Sequence, residues 1–397
     1  MLGVTALSLR EAGPPPPSGD GAPSPTSTTG QALNSPSALL ASLTTRSRTP
    51  GTAALARTTA PASARDTTAG PNVPGTSSGR YAPDTPDAPG SRYVSTGTAN
   101  TATDRPIRRK DRFRIGSITK SFTAVVVLQL AAERRLALDD TVEQHLPGVI
   151  RGHGNDGRDL TLRQLLTHTS GLFSYTDALG THTTTFDRAY TPASLLRTAL
   201  AHRPLFAPGT DWSYSNTNYT VLGMVIEKVT GRSYAEEAQR RILTPLRLTG
   251  TSFPGDSSRL PAPHGRAYSG TPASPKDVTA IEPSGAGAAG EVISTLDDLD
   301  RFYSALLTGE LLPAAQLAEM RNTDASGGVY GMGLMRTELS CTTVWGHNGR
   351  IIGSYAETAA TSDGRHVLTY RLNSDWSTDE KLKKALLESE FCRKSRK

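Results

Sequence analysis

The sequence predicts an α/β (α+β) fold in which an antiparallel sheet is flanked by helices and accompanied by a mostly helical region. Three observations carry that expectation. Helix-period patterns fill the middle of the chain, strand-like runs joined by a hairpin turn come late, and the last patterned segment is again a helix.

The elements follow in order. Residues 91–96 are the first readable strand. Apolar residues nearly all round 125–130 mark a buried helix that begins at Ser117. Thr161 followed by Gln164 has the pattern of a capping box and opens a short helix ending near Thr169. Leu222, Val225, Ile226 and Val229 share one face of a helix over 219–229, and Gly231 lies just beyond its end. Ser294 or Thr295 caps a further helix that turns Leu299, Phe302, Tyr303 and Leu306 inward. Residues 344–347, 353–356 and 367–370 then read as strands, with Asp363-Gly364 as the turn between the last two. Residues 379–391 form the closing helix, and no internal repeat is evident.

The chain has 397 residues, enough for a large core. Residues 91–392 are expected to form one domain. Residues 1–90 are low-complexity, rich in Pro, Ser, Thr, Ala and Gly, and Tyr81 is the first aromatic there. They offer too little apolar surface to offset ordering entropy and are expected to be disordered, with 38–43 the one possible helical piece. The net charge of +6 comes from the ends: residues 1–110 hold eleven Arg/Lys against six Asp/Glu, and the tail 393–397 adds four basic residues. The part between is mildly acidic, which argues against a nucleic-acid face. Residues 2–9 are weakly apolar and lack a preceding basic residue, a poor export signal, and no run is long enough to span a membrane. The two cysteines, Cys341 and Cys392, either pair or remain buried thiols, and no zinc spacing is present.

Three short motifs carry the chemistry. Ser117-Ile118-Thr119-Lys120 opens the apolar helix, Tyr214-Ser215-Asn216 precedes the helix over 219–229, and His347-Asn348-Gly349 ends a strand. Residues three apart share a helix face, so Lys120 stacks one turn above Ser117, which lies near the positive end of the helix dipole. A desolvated lysine tends to lose its proton, and an adjacent neutral amine can activate a serine. Tyr214 can shuttle a proton if a nearby cation lowers its pKa. Asn216 can bond a substrate carbonyl and Lys120 together. Gly349 would let a substrate approach the strand closely, and the N–H of Arg350 could pair with that of Ser117 as an oxyanion hole. His168 is read as structural. Taken singly, Ser117 could be a plain N-cap, Tyr214 a packed aromatic and His347 an ordinary half-buried histidine; their order argues for acyl transfer.

Ser-x-x-Lys, Tyr-x-Asn and His-x-Gly in this order resemble the motif set of penicillin-recognising serine enzymes. With Leu166-Thr167-His168-Thr169-Ser170-Gly171-Leu172, Pro208-Gly209 and Tyr330-Gly331-Met332-Gly333-Leu334, residues 92–392 resemble the serine D-alanyl-D-alanine carboxypeptidases of actinomycetes, in the class C β-lactamase family. The resemblance implies a β-lactamase/transpeptidase-like fold and a secreted, penicillin-sensitive serine hydrolase without metal or organic cofactor. Its partners would be a peptidoglycan stem peptide or a β-lactam. It implies Ser117 as nucleophile, Lys120 as its base, Tyr214 as proton shuttle, and Asn216, His347, Asn348, Gly349 and Arg350 as substrate-binding residues. It also implies a Cys341–Cys392 disulfide. A β-lactamase or carboxylesterase on the same scaffold, or an inactive peptidoglycan-binding homologue, is the alternative reading.

Three departures stand out. The family's first helix and strand have no counterpart readable before residue 91, which points either to a frame error or misplaced start upstream, or to a linker before a shortened domain. The arginine that holds a substrate carboxylate after Tyr-Gly-x-Gly-Leu is replaced by Met335, so Arg350 or Arg336 is expected to take over. The middle of the third motif is Asn348 instead of threonine.

Overall fold

Residues 35–59, 90–180, 186–376 and 379–392 are described in a computed structural model. Its centre is a six-stranded antiparallel sheet in the order β2-β1-β12-β11-β10-β9. The strands are β1 (Gly51–Thr58), β2 (Ser91–Gly97), β9 (Met335–Glu338), β10 (Thr343–Ile351), β11 (Ser354–Thr361) and β12 (His366–Leu372). Three two-stranded pairs lie outside it: β3 (Phe113–Arg114) with β8 (Ile293–Ser294), β4 (Arg151–Gly152) with β5 (Asn155–Asp156), and β6 (Tyr268–Thr271) with β7 (Ser274–Asp277).

Helices α1 (Pro36–Arg46) and α13 (Glu380–Phe391) cover one face of the sheet. The other face meets α11 (Leu296–Leu307), behind which lie α2 (Thr119–Ala132) and the helical region. That region comprises α3 (Val142–His145), α4 (Leu162–Thr167), α5 (Tyr175–Leu179), α6 (Pro192–Leu200), α7 (Asn216–Thr230), α8 (Tyr234–Ala238) and α9 (Thr244–Leu246). After it come α10 (Gly287–Gly290), α11 (Leu296–Leu307) and α12 (Ala314–Arg321).

The expectation for residues 1–90 needs correction. The family's first helix and strand are present as α1 and β1. Ser35 caps α1 by accepting from the Ala38 N–H at 3.1 Å. β1 lies inside the sheet, paired with β12 on one side and β2 on the other. Its residues alternate between two cores: Ala53 and Leu55 belong to the one on the α11 side, Ala54 and Ala56 to the one beneath α1 and α13. A strand covered on both faces this closely takes small side chains. A Cβ on Gly51 would lie 2.5 Å from the Thr98 carbonyl oxygen. The domain therefore includes α1 and β1, well before residue 91. Residues 1–34 and 60–89 and the tail 393–397 lie outside the described residues.

The other elements read from the sequence recur, but α7 begins at Asn216, within the second motif, and α3, α5, α6, α8, α9, α12 and β9 were not read from it. Thr161 and Gln164 cap α4 reciprocally, Thr295 caps α11, Asp379 caps α13, and Gly231 ends α7 in the left-handed conformation. Cys341 and Cys392 form a disulfide that ties the β9–β10 connection to the end of α13.

Candidate active site

Ser117 sits in a 3-10 turn, Gly116–Ile118, that leads directly into α2. The turn is pinned from two sides. Val292 N–H donates to Thr119 Oγ1 at 3.1 Å, and Ile115 N–H donates to the Val292 carbonyl at 2.9 Å. Gly116 has φ +53, and a Cβ there would lie 2.8 Å from the Arg350 nitrogen. The backbone of Arg350 thus runs against the turn that carries Ser117, as an oxyanion hole built from their two N–H groups requires.

Lys120 is wholly buried in α2. Its Nζ donates to Ser117 Oγ at 3.2 Å, Asn216 Oδ1 at 2.7 Å and the Ala289 carbonyl at 2.8 Å. All three acceptors are neutral, so nothing offsets desolvation of the ammonium, and burial holds the amine well below the usual lysine value. Burial thus favours the neutral amine, whose two N–H groups can stay on Asn216 and Ala289 while its lone pair faces the Ser117 hydroxyl.

Tyr214 lies over this amine, with Lys120 Nζ 4.8 Å from its ring centroid. Its hydroxyl is buried and makes no well-formed hydrogen bond among the described residues. Burial raises its pKa, and the nearby Ser117 hydroxyl opposes this only in part. A nearby cation was expected to lower it, and the shift runs the other way. Burial is the largest influence on Tyr214, and it favours the phenol over the phenolate. Asn216 uses both ends of its amide: Oδ1 accepts from Lys120 and Nδ2 donates to Thr176 Oγ1 at 3.0 Å.

The third motif divides. His347 is 2 % exposed and faces Tyr330, whose hydroxyl lies 3.1 Å from Nε2, while Nδ1 bonds the Asn348 carbonyl. Burial, then Lys120, pushes its pKa down to about 3, so the ring is neutral, with Nδ1 the donor and Nε2 accepting from the phenol. It buttresses the site from behind. Gly349 is needed for the protein's own chain: a Cβ there would lie 1.8 Å from the Ile115 oxygen and 2.9 Å from the Ser117 nitrogen. Asn348 and Arg350 do reach open space.

Two clefts meet at Ser117 and Arg350. The larger, about 640 Å³, is lined by Asn216, Tyr175, Phe186, Ile351, Ile352 and Trp376, with Lys276 on the β6–β7 hairpin and Asp375 further out. The smaller, about 290 Å³, is lined by Trp212, Tyr214, Val329, Tyr330, Met335 and Asn348. Met335 therefore lines a cleft together with Trp212, Tyr214 and Tyr330. Arg336 lines neither cleft; it is ion-paired with Glu338 and donates to the Gly328 carbonyl at 3.3 Å. Of the two arginines expected to replace the missing anchor, only Arg350 borders the clefts. The Ala289 carbonyl, the hairpin wall, Phe186 and Trp376 were not foreseen. A backbone acceptor leaves no mark in a sequence, and the wall is assembled from distant loops.

Residues 88–389 match the family model described as Beta-lactamase, and the chain belongs to that family. It is a serine hydrolase of the β-lactamase and penicillin-binding-protein superfamily. It is 41% identical to a D-stereospecific amidohydrolase from Streptomyces sp., over 91% of this chain and 99% of that one, with a TM-score of 0.75. A D-amino acid amidase from Ochrobactrum anthropi SV3, 23% identical over 90% of this chain and 98% of that one, shares the fold with a TM-score of 0.72. Protein flp of Staphylococcus aureus (strain COL) is 32% identical over 167 residues, 41% of this chain, and the match spans about a third of that protein's length (33%). Among the described residues no helix is long and apolar enough to cross a membrane.

Proposed function

We propose that this chain hydrolyses amides of D-configured acyl groups through an acyl-enzyme on Ser117. Neutral Lys120 takes the Ser117 proton as Oγ attacks the carbonyl, and the N–H groups of Ser117 and Arg350 receive the oxyanion. The C–N bond then breaks, and Tyr214, recharged through Lys120, protonates the departing amine. Water repeats the sequence in reverse and releases the acid. The observation that carries the choice of an amide over a carboxyl-terminal peptide is Met335. It stands where the resembling carboxypeptidases hold an arginine for the terminal carboxylate, and it lines the smaller cleft beside Ser117. The activity in the name of the Streptomyces relative supports the same reading.

A D-alanyl-D-alanine carboxypeptidase acting on stem peptides is the second reading. Arg350 favours it, because it borders both clefts and arginine suits a carboxylate. Action outside the cytoplasm accords with the disulfide.

The test is a set of parallel assays on one purified sample. Ammonia release from D- and L-phenylalanine amide, D-alanine release from an N-acylated D-Ala-D-Ala peptide, and nitrocefin turnover are compared. Ammonia release from the D-amide exceeding the other activities supports the proposal. D-alanine release in its place supports the second reading. No turnover in any assay, together with no acylation of Ser117, overturns both.

A further inference from the structure

His168 belongs to no reacting group named above, yet its contacts converge on Tyr214. It ends α4 in the left-handed conformation, φ 62, and is fully buried. Its carbonyl accepts the N–H of Ser213 at 3.0 Å. Its Nδ1 accepts the N–H of Ser215 at 3.1 Å and lies 3.2 Å from the Asn218 amide nitrogen. That amide is oriented in turn by Ser170, whose hydroxyl donates to Asn218 Oδ1 at 2.6 Å. The two residues flanking Tyr214 are thus bonded to a single residue, and the imidazole fills the space between, its centroid 4.2 Å from the Tyr214 ring.

The pattern fixes the ring's protonation. Two N–H donors converge on Nδ1, so Nδ1 must be an acceptor and the proton sits on Nε2. Nε2 makes no hydrogen bond among the described residues and lies amid the rings of Tyr219 and Tyr330, at centroid distances of 5.3 and 4.8 Å. An imidazolium would point an N–H at the Ser215 N–H. Burial works against charging the ring.

We propose that His168 is a positioning residue: as a neutral imidazole protonated on Nε2 it clamps the peptide groups on both sides of Tyr214 and holds the phenol over Lys120 and Ser117. The proposal rests on the reading of Tyr214 as the group that protonates the leaving amine.

The experiment uses His168→Gly and His168→Asn in the full chain. Both residues tolerate the left-handed conformation, so neither adds backbone strain. Asparagine can return an acceptor to the Ser215 N–H, and glycine cannot. Each variant is assayed with a p-nitroanilide and a p-nitrophenyl ester of one D-acyl group, alone and with Tyr214→Phe, and thermal unfolding is followed alongside. An amine must be protonated as it leaves and p-nitrophenolate need not be, so a displaced phenol should slow the anilide selectively. The expected result for His168→Gly is a fall in anilide kcat of about 100-fold, the scale of a misplaced catalytic group, with little change in KM and a much smaller loss on the ester. His168→Asn should recover about tenfold of that loss. In the Tyr214→Phe background the glycine variant should cost less than about twofold, because contacts that act through one group are not additive. Equal losses on both substrates, or full additivity with Tyr214→Phe, would mean a general structural role and overturn the proposal. If His168→Gly does not fold, the anilide-to-ester ratio of His168→Asn decides, and an unchanged ratio overturns it. If the wild type cleaves neither substrate, the amide-hydrolase reading fails. The same cycle is then read from the rate at which nitrocefin acylates Ser117, and additivity there, or no acylation of the wild type, overturns the positioning role.

Discussion

Gly349→Ala tests whether the contact between β10 and the Ser117 turn sets the reaction geometry. The added methyl would start 1.8 Å from the Ile115 oxygen and 2.9 Å from the Ser117 nitrogen, whereas real contacts of this kind keep at least 3.0 Å. The strand and the turn must separate by about 1.2 Å to admit it. That displacement falls on the gap between the Ser117 and Arg350 N–H groups. A misplacement of about 1 Å at reacting groups costs on the order of 100-fold, equivalent to about 2.7 kcal/mol of transition-state stabilisation. Overpacking should lower folding stability by about 1–3 kcal/mol as well. The assay is the burst of acylation by a chromogenic ester or fluorescent penicillin, with thermal unfolding measured on the same preparation. The expected outcome is a folded protein with a lower Tm whose acylation is slowed about 100-fold. A variant that shows the stability loss yet acylates within about threefold of wild type would refute the claim that this packing sets the oxyanion geometry.

Three further outcomes are expected. Lys120 acts as a neutral base with a depressed pKa, so acylation should be complete above that pKa and lost as pH falls through it, with the acid limb well below the ordinary lysine value; Lys120→Arg, which cannot deprotonate, should show no limb and acylate at least about 1,000-fold more slowly, as read from pH–rate profiles. Replacing Cys341 and Cys392 by serine opens a loop closed at a sequence separation of 51 and should cost about 4 kcal/mol in the chain-entropy model; denaturant unfolding with and without reductant checks it, and reductant should act only on the wild type. Met335→Arg places a guanidinium in the smaller cleft and should raise kcat/KM for a D-Ala-D-Ala peptide about tenfold relative to a D-amide, measured by competition between the two substrates.

The candidate site residues were legible as a set because their spacing is local. Ser117 and Lys120 are bound by helix spacing, and the other two motifs name their residues directly. What the sequence concealed lies in contacts between distant segments. Lys120 depends on the Ala289 carbonyl as much as on Asn216. His347 looked like a cleft residue and is instead held by Tyr330. The largest omission was β1, and its cause is physical. A strand that pairs on both edges and is covered closely on both faces is served here by small side chains, and Gly51–Thr58 is written in Gly, Thr and Ala with one leucine and Arg57 near its end. That composition is what unstructured linkers also use. Periodicity failed because both faces are buried, which removes the polar alternation that marks a half-exposed strand.

The placement of β1 also dictates an order of events during synthesis. Thr52 pairs with Leu372 and Thr58 with His366, partners separated by some three hundred residues. The segment must wait for a partner made some three hundred residues later before that edge is satisfied. Contacts of such long range make folding slow, and a waiting strand with open edges is a template for association with other chains. Residues with low β-propensity and little apolar area make a poor template. The same plain composition that hides this strand from a reader of the sequence keeps it quiet until its partner arrives.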